Sequence, residues 1–474
     1  MGHLDRLYAR LPVWGQHASV SAYGLYWYWV RYGPGFSRHV EDYRQREENF
    51  THRDWKAWQN QRLSEVLTLA LEKVPLYQAL WMRSEKAAVR AGVLADLPFL
   101  EKDLVRADPR RLIRADATHQ RLLAFHTSGT TGTPIVSYWT VSELRESHAF
   151  HEVRGSNAAG VSFFLPRSTL SGRLVEPNPE SHGPYYRYNL VERQVYFSPF
   201  HLSAKTAGSY MEALRRHRVQ WMTGYAVSHF LLAQFILEQG LEPPPLRAII
   251  TTSEKVTPDM KDVMHKAFRC PVFEEYNNVE NVFFANDCEH GHLHVSPEVG
   301  IIEILRPDGT PCDPGEVGEV VATCLFRTYQ PFIRYRIGDL AAWDPEPCPC
   351  GRQMPVIKEV VGRIEDVVLG LDGRQLVRFH GIFVNQRHIK QGQIIQETLD
   401  RIRVKVVPAP GFGPADMADV VARIQTRLGP MVQVTVEPVE QIPLTSSGKF
   451  QAVVSLLKDR NALKATHKGS FQND

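Results

Sequence analysis

Apolar residues recur every three or four positions in several stretches of the chain, which is the spacing of one face of an α-helix. The longest stretch begins after Thr51, which together with Asp54 resembles a capping box, and it ends before Pro75. Its apolar positions are Trp55, Trp58, Leu63, Val66, Leu67 and Leu71. The same spacing returns over 214–217 and 230–237. We therefore predict a helix at each of these three places.

Short runs rich in β-branched residues lie between and after the helical stretches, at 248–251, 300–305 and 319–323. Strands that alternate with helices are typical of an α/β fold with a parallel sheet. The pattern therefore predicts a large N-terminal α/β domain over residues 1–361, rich in parallel sheet.

The pattern of apolar and polar residues changes after Gly362, where it predicts several short strands around one amphipathic helix. The strands are predicted at 367–369, 403–407 and 432–436, and the helix near 415–428. This pattern predicts a small α+β domain over residues 367–474. Residues 362–366 lie at the change in composition, which suits an interdomain hinge.

The first fifty residues are rich in aromatic side chains and show little clean periodicity. The residues concerned are Trp14, Tyr23, Tyr26, Trp27, Tyr28, Trp29 and Tyr32. Aromatic side chains supply much of the buried area in ordinary domains, so we favour core packing over a membrane-surface or partner role. Residues 1–95 are accordingly treated as a helical, aromatic-rich lead segment of the N-terminal domain.

Composition excludes several classes of function. The chain has 474 residues, enough for about two to four domains, and its net charge is only +3. This balance gives no general electrostatic footprint for nucleic acid or an anionic membrane. No run approaches the ~20 apolar residues of a transmembrane helix, and the N-terminus lacks the apolar core of a signal peptide. We therefore expect a cytoplasmic protein that acts on small polar substrates.

A run of small and hydroxyl residues, 126–134, lies between two short apolar segments. Its glycines permit close backbone approach, and its N–H and hydroxyl groups can bind the oxygens of a polyphosphate. The run is not a Walker A loop, because Thr133 and Pro134 follow Gly132 where that motif has lysine and a hydroxyl residue. An ordinary surface turn is the alternative for this run taken alone.

Four further segments contain side chains that a nucleotide-activating site needs. Asp339 ends the run 334–339, and its carboxylate can accept both hydroxyls of a ribose. Tyr276 and Glu280 combine an aromatic ring that can stack on adenine with a carboxylate that can hold Mg²⁺. Arg363 lies in the predicted hinge, and Lys449 lies on a loop of small residues near the C-terminus.

The order of these segments resembles that of the acyl-adenylate-forming superfamily, which includes acyl-CoA synthetases, peptide-synthetase adenylation domains and firefly luciferase. Within the superfamily, the chain is more similar to the phenylacetate-CoA ligases and their CapK-like relatives. The features that carry this closer resemblance are the Cys-x-Cys-Gly at 348–351, the runs 252–256 and 389–396, and Pro75-Leu76-Tyr77. The resemblance implies a large N-terminal adenylate-forming domain and a small, mobile C-terminal lid.

The resemblance also implies a role for each motif residue. Lys449 is expected to bridge the substrate carboxylate and the α-phosphate of ATP, and Glu280 to position Mg²⁺. Asp339 is expected to bind the ribose, Arg363 the ribose or a phosphate, and Tyr276 the adenine. The loop expected to hold the β- and γ-phosphates contains Thr127, Ser128, Gly129, Thr130, Thr131, Gly132 and Thr133.

Further positions are implied around the same site. Ser253 and Glu254 fall where relatives line the nucleotide and acyl pocket. Asn277 is expected in the nucleotide site, although many relatives have a smaller residue near the metal-binding glutamate, and Gly224 and Tyr225 are expected to contribute to the acyl pocket. Because Lys449 lies on the small domain, that domain must close for adenylation and rotate away for the second half-reaction. Glu365, or else Asp366, is the expected pivot.

The spacing of cysteines and histidines predicts a structural zinc site. Cys348 and Cys350 form a tight pair, and the segment 288–294 offers one thiol and three imidazoles. Zinc needs about four nitrogen or sulfur ligands, which Cys288 and His294 would complete. His290 or His292 are alternatives to His294, and free thiols are the alternative to a metal site.

Together, these observations predict an AMP-forming acid ligase that uses ATP and Mg²⁺. A carboxylic acid, by resemblance an aromatic one, is activated to the acyl-adenylate with release of pyrophosphate, and the acyl group then passes to a thiol such as CoA. Transfer to an amine is the first alternative, and a non-catalytic, zinc-stabilised binding protein of the same fold is the second. Retention of Glu280, Asp339 and Lys449 favours the enzyme. The sequence leaves open the identity of the acid, the identity of the acceptor and the oligomeric state, for which a dimer is one option.

Overall fold

The computed structural model describes most of the chain. The described residues are 3–117, 121–127, 134–173, 175–176, 178, 181–363, 368–371, 375–376, 382–383, 386–445 and 449–457. Six residues of the predicted phosphate loop (Ser128, Gly129, Thr130, Thr131, Gly132 and Thr133) and the predicted pivots Glu365 and Asp366 lie outside these ranges.

The described residues from 3 to 107 form seven α-helices: α1 (His3–Arg10), α2 (Val13–Tyr32), α3 (Phe36–Asn49), α4 (His52–Lys73), α5 (Pro75–Leu80), α6 (Arg83–Ala91) and α7 (Lys102–Ala107). The predicted capping box starts α4. The Thr51 N–H donates to Asp54 Oδ2 at 2.9 Å, and the Thr51 hydroxyl accepts from the Asp54 N–H at 3.3 Å. These two bonds satisfy backbone donors that the first helical turn cannot pair, so the helix predicted after Thr51 is confirmed.

In the described residues between 108 and 363, fourteen strands and four α-helices follow. The helices are α8 (Val141–Phe150), α9 (Ala207–Arg216), α10 (Ala226–Gln239) and α11 (Pro258–Phe268). The strands are β1 (Leu123–His126), β2 (Val136–Trp139), β3 (Arg167–Leu170), β4 (Tyr186–Asn189), β5 (Gln194–Phe197), β6 (Trp221–Tyr225), β7 (Ala248–Thr252), β8 (Val272–Asn277), β9 (Phe284–Asp287), β10 (Leu293–Val295), β11 (Gly300–Leu305), β12 (Gly318–Cys324), β13 (Tyr335–Trp343) and β14 (Val356–Arg363).

Twelve of these strands form one sheet in the order β11-β12-β13-β14-β10-β9-β8-β7-β6-β3-β5-β4, while β1 and β2 pair as a separate hairpin. The predicted α/β class is confirmed, since β5, β3, β6, β7 and β8 are parallel neighbours. Helices α10 and α11 supply crossovers between successive parallel strands.

The strands predicted at 300–305 and 319–323 are present but lie outside the parallel part of the sheet. These runs are β11 and β12, which pair antiparallel with Gly300 opposite Cys324 and Leu305 opposite Glu319. No helix lies between them, and a parallel pair needs a crossover that is usually helical. Composition alone did not distinguish the two directions, because both kinds of buried strand are rich in β-branched residues.

The C-terminal part contains β15 (Val368–Leu369), β16 (Gln375–Leu376), β17 (Ile389–Gln396), β18 (Arg401–Pro408), α12 (Pro414–Leu428), β19 (Gln433–Pro438) and β20 (Val453–Ser455). A four-stranded sheet has the order β19-β18-β17-β20. Val420 and Ile424 of α12 are buried in the same apolar cluster as Val404 of β18. The helix predicted near 415–428 is therefore confirmed as the element that covers this small sheet.

Core packing of the early aromatic residues is only partly observed. Trp14 and Trp29 of α2 are 75% and 58% exposed, whereas Tyr32 packs its ring against Phe36 and Phe164. The prediction of core packing is wrong for the outward side of α2. The inner side of α2 contacts strand β4 through polar groups, so the aromatic rings are left on the outer side.

None of the helices in the described ranges is long and apolar enough to cross a membrane.

Candidate functional site

The β1–β2 hairpin carries the predicted phosphate loop. The Thr127 N–H donates to the Ile135 carbonyl at 3.0 Å, and the Ile135 N–H donates to the Thr127 hydroxyl at 2.9 Å. These bonds continue the hairpin ladder by one step and close the base of the loop. The two strands therefore hold Thr127 and Ile135 in a defined place.

A buried arginine joins this hairpin to the predicted magnesium residue. The Arg327 guanidinium donates to the Ser137 hydroxyl at 2.9 Å, to the Tyr138 carbonyl, and to the Glu280 carbonyl at 2.7 Å. The guanidinium carbon Cζ of Arg327 lies 4.0 Å from the centroid of the Trp139 ring. Arg327 therefore fixes strand β2 of the hairpin relative to the backbone of Glu280. Its position carried no motif signal, and sequence reasoning missed it.

Glu280 is buried, with 4% of its surface exposed, and its Oε1 accepts a 2.8 Å hydrogen bond from the Tyr335 hydroxyl. The bond fixes the orientation of the carboxylate before any ligand arrives. A carboxylate held in this way fits a magnesium ligand, either directly or through water. Tyr335 lies in a motif that the sequence singled out, but the sequence did not predict its role.

The predicted adenine and ribose residues also lie together. The Tyr276 hydroxyl donates to Asp339 Oδ2 at 2.9 Å, and the Tyr276 ring packs on Phe283 with centroids 4.7 Å apart. Tyr276 is on β8 and Asp339 on β13, which three strands separate in the sheet. In a flat sheet this distance is roughly 19 Å, so the hydrogen bond requires the sheet to bend strongly. The bend turns two remote strands into walls of one site.

Two other predicted nucleotide residues end strands near this place. Asn277 is the last residue of β8, and Arg363 is the last residue of β14, where its backbone pairs opposite Asp339. The register thus brings the backbone of Arg363 beside the predicted ribose residue. Arg363 is also part of the segment 362–366 predicted as the hinge, so that segment begins within β14.

Gly224 allows β6 to approach its neighbour closely. Its φ is +133°, and a Cβ built on it would lie 1.8 Å from the Leu170 carbonyl oxygen of β3. Any other residue would force these strands apart, and it would also adopt a backbone conformation that strains L-residues. Tyr225 follows directly and precedes the first turn of α10. The two residues predicted for the acyl pocket therefore form one tight strand-to-helix turn.

The C-terminal sheet domain reaches this turn through Lys449. Lys449 Nζ lies 5.7 Å from the centroid of the Tyr225 ring and donates to the Ser253 carbonyl at 3.5 Å. The base of its own loop is closed by a 2.8 Å bond from the Thr445 N–H to the Lys449 carbonyl. A second contact between the two parts of the chain is the Lys390–Glu238 ion pair at 2.8 Å.

Glu254 connects the two parts of the chain next to Lys449. Its Oε1 accepts from the Phe450 N–H at 2.8 Å, and its Oε2 accepts from the Val227 N–H in the first turn of α10 at 2.9 Å. Burial raises the pKa of Glu254 from 4.5 to about 7, although both hydrogen bonds and Lys449 act in the opposite direction. Glu254 is therefore placed to couple the position of Lys449 to the N-terminal domain.

The raised pKa of Glu254 predicts a pH-dependent contribution to stability. Above pH ~4.5 the unfolded state ionises this carboxyl while the folded state does not, so folding loses stability as pH rises to about 7 and no more beyond it. Relative to wild type, Glu254→Gln should gain up to about 3 kcal/mol of unfolding free energy over this interval. Urea unfolding at a series of pH values measures the difference. Exposed Glu346→Gln is the matched control, and equal pH profiles for wild type and Glu254→Gln would contradict the prediction.

The predicted metal ligands converge from two hairpins. Cys288 follows β9, His294 is on β10, and Cys348 and Cys350 lie in the connection between β13 and β14. Strand β10 pairs with β14, with His294 opposite Val356, so the two segments meet at the same edge. One ligand atom from each of the four residues lies within 4.8 Å of all the others.

The spacing of these atoms fits a tetrahedral metal site. Cys288 Sγ is 3.6 Å from Cys348 Sγ, and Cys350 Sγ is 3.3 Å from His294 Nε2. Sulfur and nitrogen ligands at ~2.3 and ~2.05 Å from a shared tetrahedral zinc lie roughly 3.5–3.8 Å apart. The alternatives are not in this cluster: His290 is exposed, and His292 Nδ1 lies 3.8 Å from Asp344 Oδ2.

Two of the four ligands are electrostatically suited to a metal. Burial raises the pKa of a third, the Cys348 thiol, and so opposes the thiolate that zinc binding requires. Burial, with a smaller effect of Arg352, lowers the pKa of His294 to about 4, so its imidazole is neutral near pH 7 and can donate its lone pair. Burial opposes ionisation of Cys350, but hydrogen bonds from the backbone and side chain of Arg352 outweigh it and lower the pKa of the thiol. Arg352 is itself held by Glu47 at 3.2 Å and Glu289 at 2.6 Å.

Comparisons with known proteins agree with this architecture. Residues 374–456 match the family model of the CapK C-terminal domain. The chain is 23% identical to protein CapK of Staphylococcus aureus, across 96% of this chain and all of that protein. It is 24% identical to the phenylacetate-coenzyme A ligase of Thermus thermophilus, across 85% of this chain and 97% of that one. A crystal structure of 2-hydroxyisobutyryl-CoA ligase, in complex with R3-HIB-AMP, has a TM-score of 0.68 at 20% identity and covers 89% of this chain and 93% of that one.

The similarity to this crystal structure shows that the chain shares the fold of 2-hydroxyisobutyryl-CoA ligase. Its C-terminal part is similar to the CapK C-terminal domain, and the chain is similar to protein CapK and to a phenylacetate-coenzyme A ligase. The resemblance seen in the sequence is therefore confirmed.

Proposed function

We propose that this protein activates a carboxylic acid with ATP and transfers the acyl group to a thiol. The observation that carries the proposal is the position of Lys449, which reaches across from the C-terminal domain to Ser253 and the Tyr225 ring. A cation in this place, beside the turn of Gly224 and Tyr225, lies where an acid and the α-phosphate are proposed to meet. Its neighbour Phe450 is held by Glu254, so the cation is positioned before the reaction.

The first half-reaction joins two anions. A carboxylate oxygen attacks the α-phosphorus of ATP, the bond between the α-phosphorus and the bridging oxygen breaks, and pyrophosphate leaves. The repulsion between two charges at ~4 Å is worth about 1 to 4 kcal/mol at effective dielectrics between water and a protein surface. Lys449 lowers this repulsion and stabilises the charge that moves onto the leaving group.

The other residues are proposed to hold the nucleotide. The Asp339 carboxylate, oriented by the Tyr276 hydroxyl, accepts hydrogen bonds from the ribose hydroxyls. The loop that begins at Thr127 holds the pyrophosphate. Glu280, fixed by Tyr335, is proposed to hold Mg²⁺. The ion, when bound, supplies positive charge to the phosphate oxygens.

The second half-reaction is proposed to use a thiol, most simply that of CoA. The thiolate attacks the acyl carbonyl carbon, the bond to the phosphate oxygen breaks, AMP leaves, and the thiol proton goes to solvent. The names of the two similar CoA ligases support CoA as the acceptor. Because one of them is a phenylacetate-coenzyme A ligase, aromatic acids are the first substrates to test. Rotation of the C-terminal domain about residues 362–366 is proposed to remove Lys449 and admit the thiol.

The convergence of Cys288, His294, Cys348 and Cys350 supports a structural zinc in the same protein. Four protein ligands leave no open position for water, so the metal is proposed to hold the two hairpins together and not to take part in catalysis.

Carboxylate-dependent exchange of labelled pyrophosphate into ATP tests the adenylation step. With a panel of aromatic and short aliphatic acids, we expect exchange with at least one acid and none without Mg²⁺. Release of AMP is then followed with CoA or with an amine as the acceptor. Stimulation by CoA supports the proposal, while stimulation by an amine alone identifies an amide-forming ligase. Absence of exchange with every acid in the panel would overturn the proposal that the protein is an acid-activating enzyme.

A further inference from the structure

Helix α2 presents an unusual outer face. Every exposed side chain of this helix is apolar or aromatic, and none carries a charge. The exposed residues are Trp14, Ala18, Ala22, Tyr23, Leu25, Tyr26 and Trp29. Most of them recur every three or four positions, and from Trp14 to Trp29 they extend over about 22 Å of one helix. A solvent-facing helix normally carries its polar residues on this side.

The inner face of α2 explains why the aromatic rings point outwards. His17 Nδ1 accepts from the Tyr188 N–H at 2.8 Å, and the Ser21 hydroxyl accepts from the Leu190 N–H at 3.1 Å. Tyr188 lies on β4, the last strand of the large sheet, and edge strands have backbone groups that need partners or cover. The polar side of α2 covers this edge strand and accepts these two hydrogen bonds from backbone N–H groups. The orientation of the helix is therefore fixed by specific bonds.

Arginines lie at both ends of this face, although Arg31 within the helix is paired with Glu192 and the acidic residues Glu41 and Asp42 follow in the next helix. Arg10 precedes α2, Arg38 follows it, and both are exposed. The Arg145 guanidinium lies 4.9 Å from the Trp29 ring centroid, at the C-terminal end of the face. Leu190, which is 67% exposed and bonded to Ser21, adds a further apolar side chain beside the helix.

We propose that this face of α2, with Leu190, docks the protein on the surface of an anionic lipid bilayer. Tryptophan and tyrosine favour the boundary between headgroups and acyl chains, where the ring is apolar and the indole N–H or phenol stays wet. The flanking arginines are placed to meet anionic headgroups. In a symmetric pair of copies, by contrast, the two arginine-flanked faces would approach each other with like charge. The proposal does not depend on the proposed ligase activity.

Sedimentation of the full-length protein with lipid vesicles tests the proposal. We expect binding to vesicles of phosphatidylcholine mixed with phosphatidylglycerol, weaker binding to phosphatidylcholine alone, and loss of binding at high salt. Brominated lipids should quench part of the tryptophan fluorescence. The double variant Trp14→Ser, Trp29→Ser should lower the partition coefficient at least about tenfold. Because both indoles are largely exposed, the thermal midpoint should not change.

Met431→Ser is the matched control, since Met431 is 77% exposed and lies in the C-terminal part of the chain. It should bind vesicles like wild type. Absence of wild-type binding to either vesicle, or equal binding by the double variant, would overturn the proposal. A concentration-dependent dimer that the double variant abolishes, without vesicle binding, would also overturn it and assign the face to a second copy of the chain.

Discussion

Lys449→Ala is expected to lower carboxylate-dependent pyrophosphate exchange by about two to three orders of magnitude. The side chain is the cation that reaches from the C-terminal domain to Ser253, and alanine leaves the repulsion between carboxylate and α-phosphate uncompensated. Most of the loss should appear in kcat, because charge on the leaving group develops only in the transition state. Exchange of labelled pyrophosphate into ATP, with the acid found in the panel, measures the effect.

The control for this variant separates chemistry from folding. Lys405→Ala removes a lysine of β18 in the same C-terminal sheet and should keep wild-type exchange. Lys449→Ala should still convert a synthetic acyl-adenylate to the thioester in the presence of CoA, since Lys449 is proposed to act only in the first half-reaction. If the variant exchanges pyrophosphate at the wild-type rate, the proposed role of Lys449 is wrong. If both half-reactions fail together, the effect is structural.

Cys348→Ser is expected to remove the metal and destabilise the hairpins that the cluster joins. Wild-type protein without a tag should contain about one equivalent of zinc, and the variant less than half of that. Because metal binding is coupled to the folded arrangement of Cys288, His294 and Cys350, its loss should lower the thermal midpoint by at least about 5 °C. Elemental analysis and thermal unfolding measure the two effects.

Cys312→Ala is the matched control, because Cys312 is a buried free cysteine outside the cluster. It should keep its zinc. A strong chelator should lower the thermal midpoint of wild type to that of Cys348→Ser and leave the variant unchanged. Wild-type protein that contains no zinc after growth in zinc-supplemented medium would contradict the site, as would a Cys348→Ser variant with full zinc content.

The candidate site shows how far local sequence could lead. Tyr276, Glu280 and Asp339 could be named because each lies in a short motif whose chemistry is legible from residue type alone. That the Tyr276 hydroxyl bonds to Asp339 could not be predicted, since it depends on the bend of a sheet in which three strands separate β8 from β13. Arg327 was missed for a similar reason. Its partners lie about 190 and 47 residues away in sequence, and no local pattern marks it.

The metal cluster shows the same division. The sequence limited the ligands to Cys288, the pair Cys348 and Cys350, and one of three histidines. The choice of His294 follows from the pairing of β10 with β14, which brings that residue alone among the three to the thiols. Strand pairing is a long-range property, so spacing within one segment did not distinguish His294 from His290 or His292.

By itself, the sequence determined those features of this protein that depend on neighbouring residues: helix α4 with its cap at Thr51, the helix of the C-terminal domain, the residue types of the nucleotide motifs and their order. Tertiary structure alone decided the direction of β11 and β12, and it decided which side of α2 is buried. The physical reason is that both depend on a distant partner. A strand takes its direction from the connection and the neighbour it pairs with, and α2 turns its polar side inwards because the edge strand β4 offers backbone groups to bind.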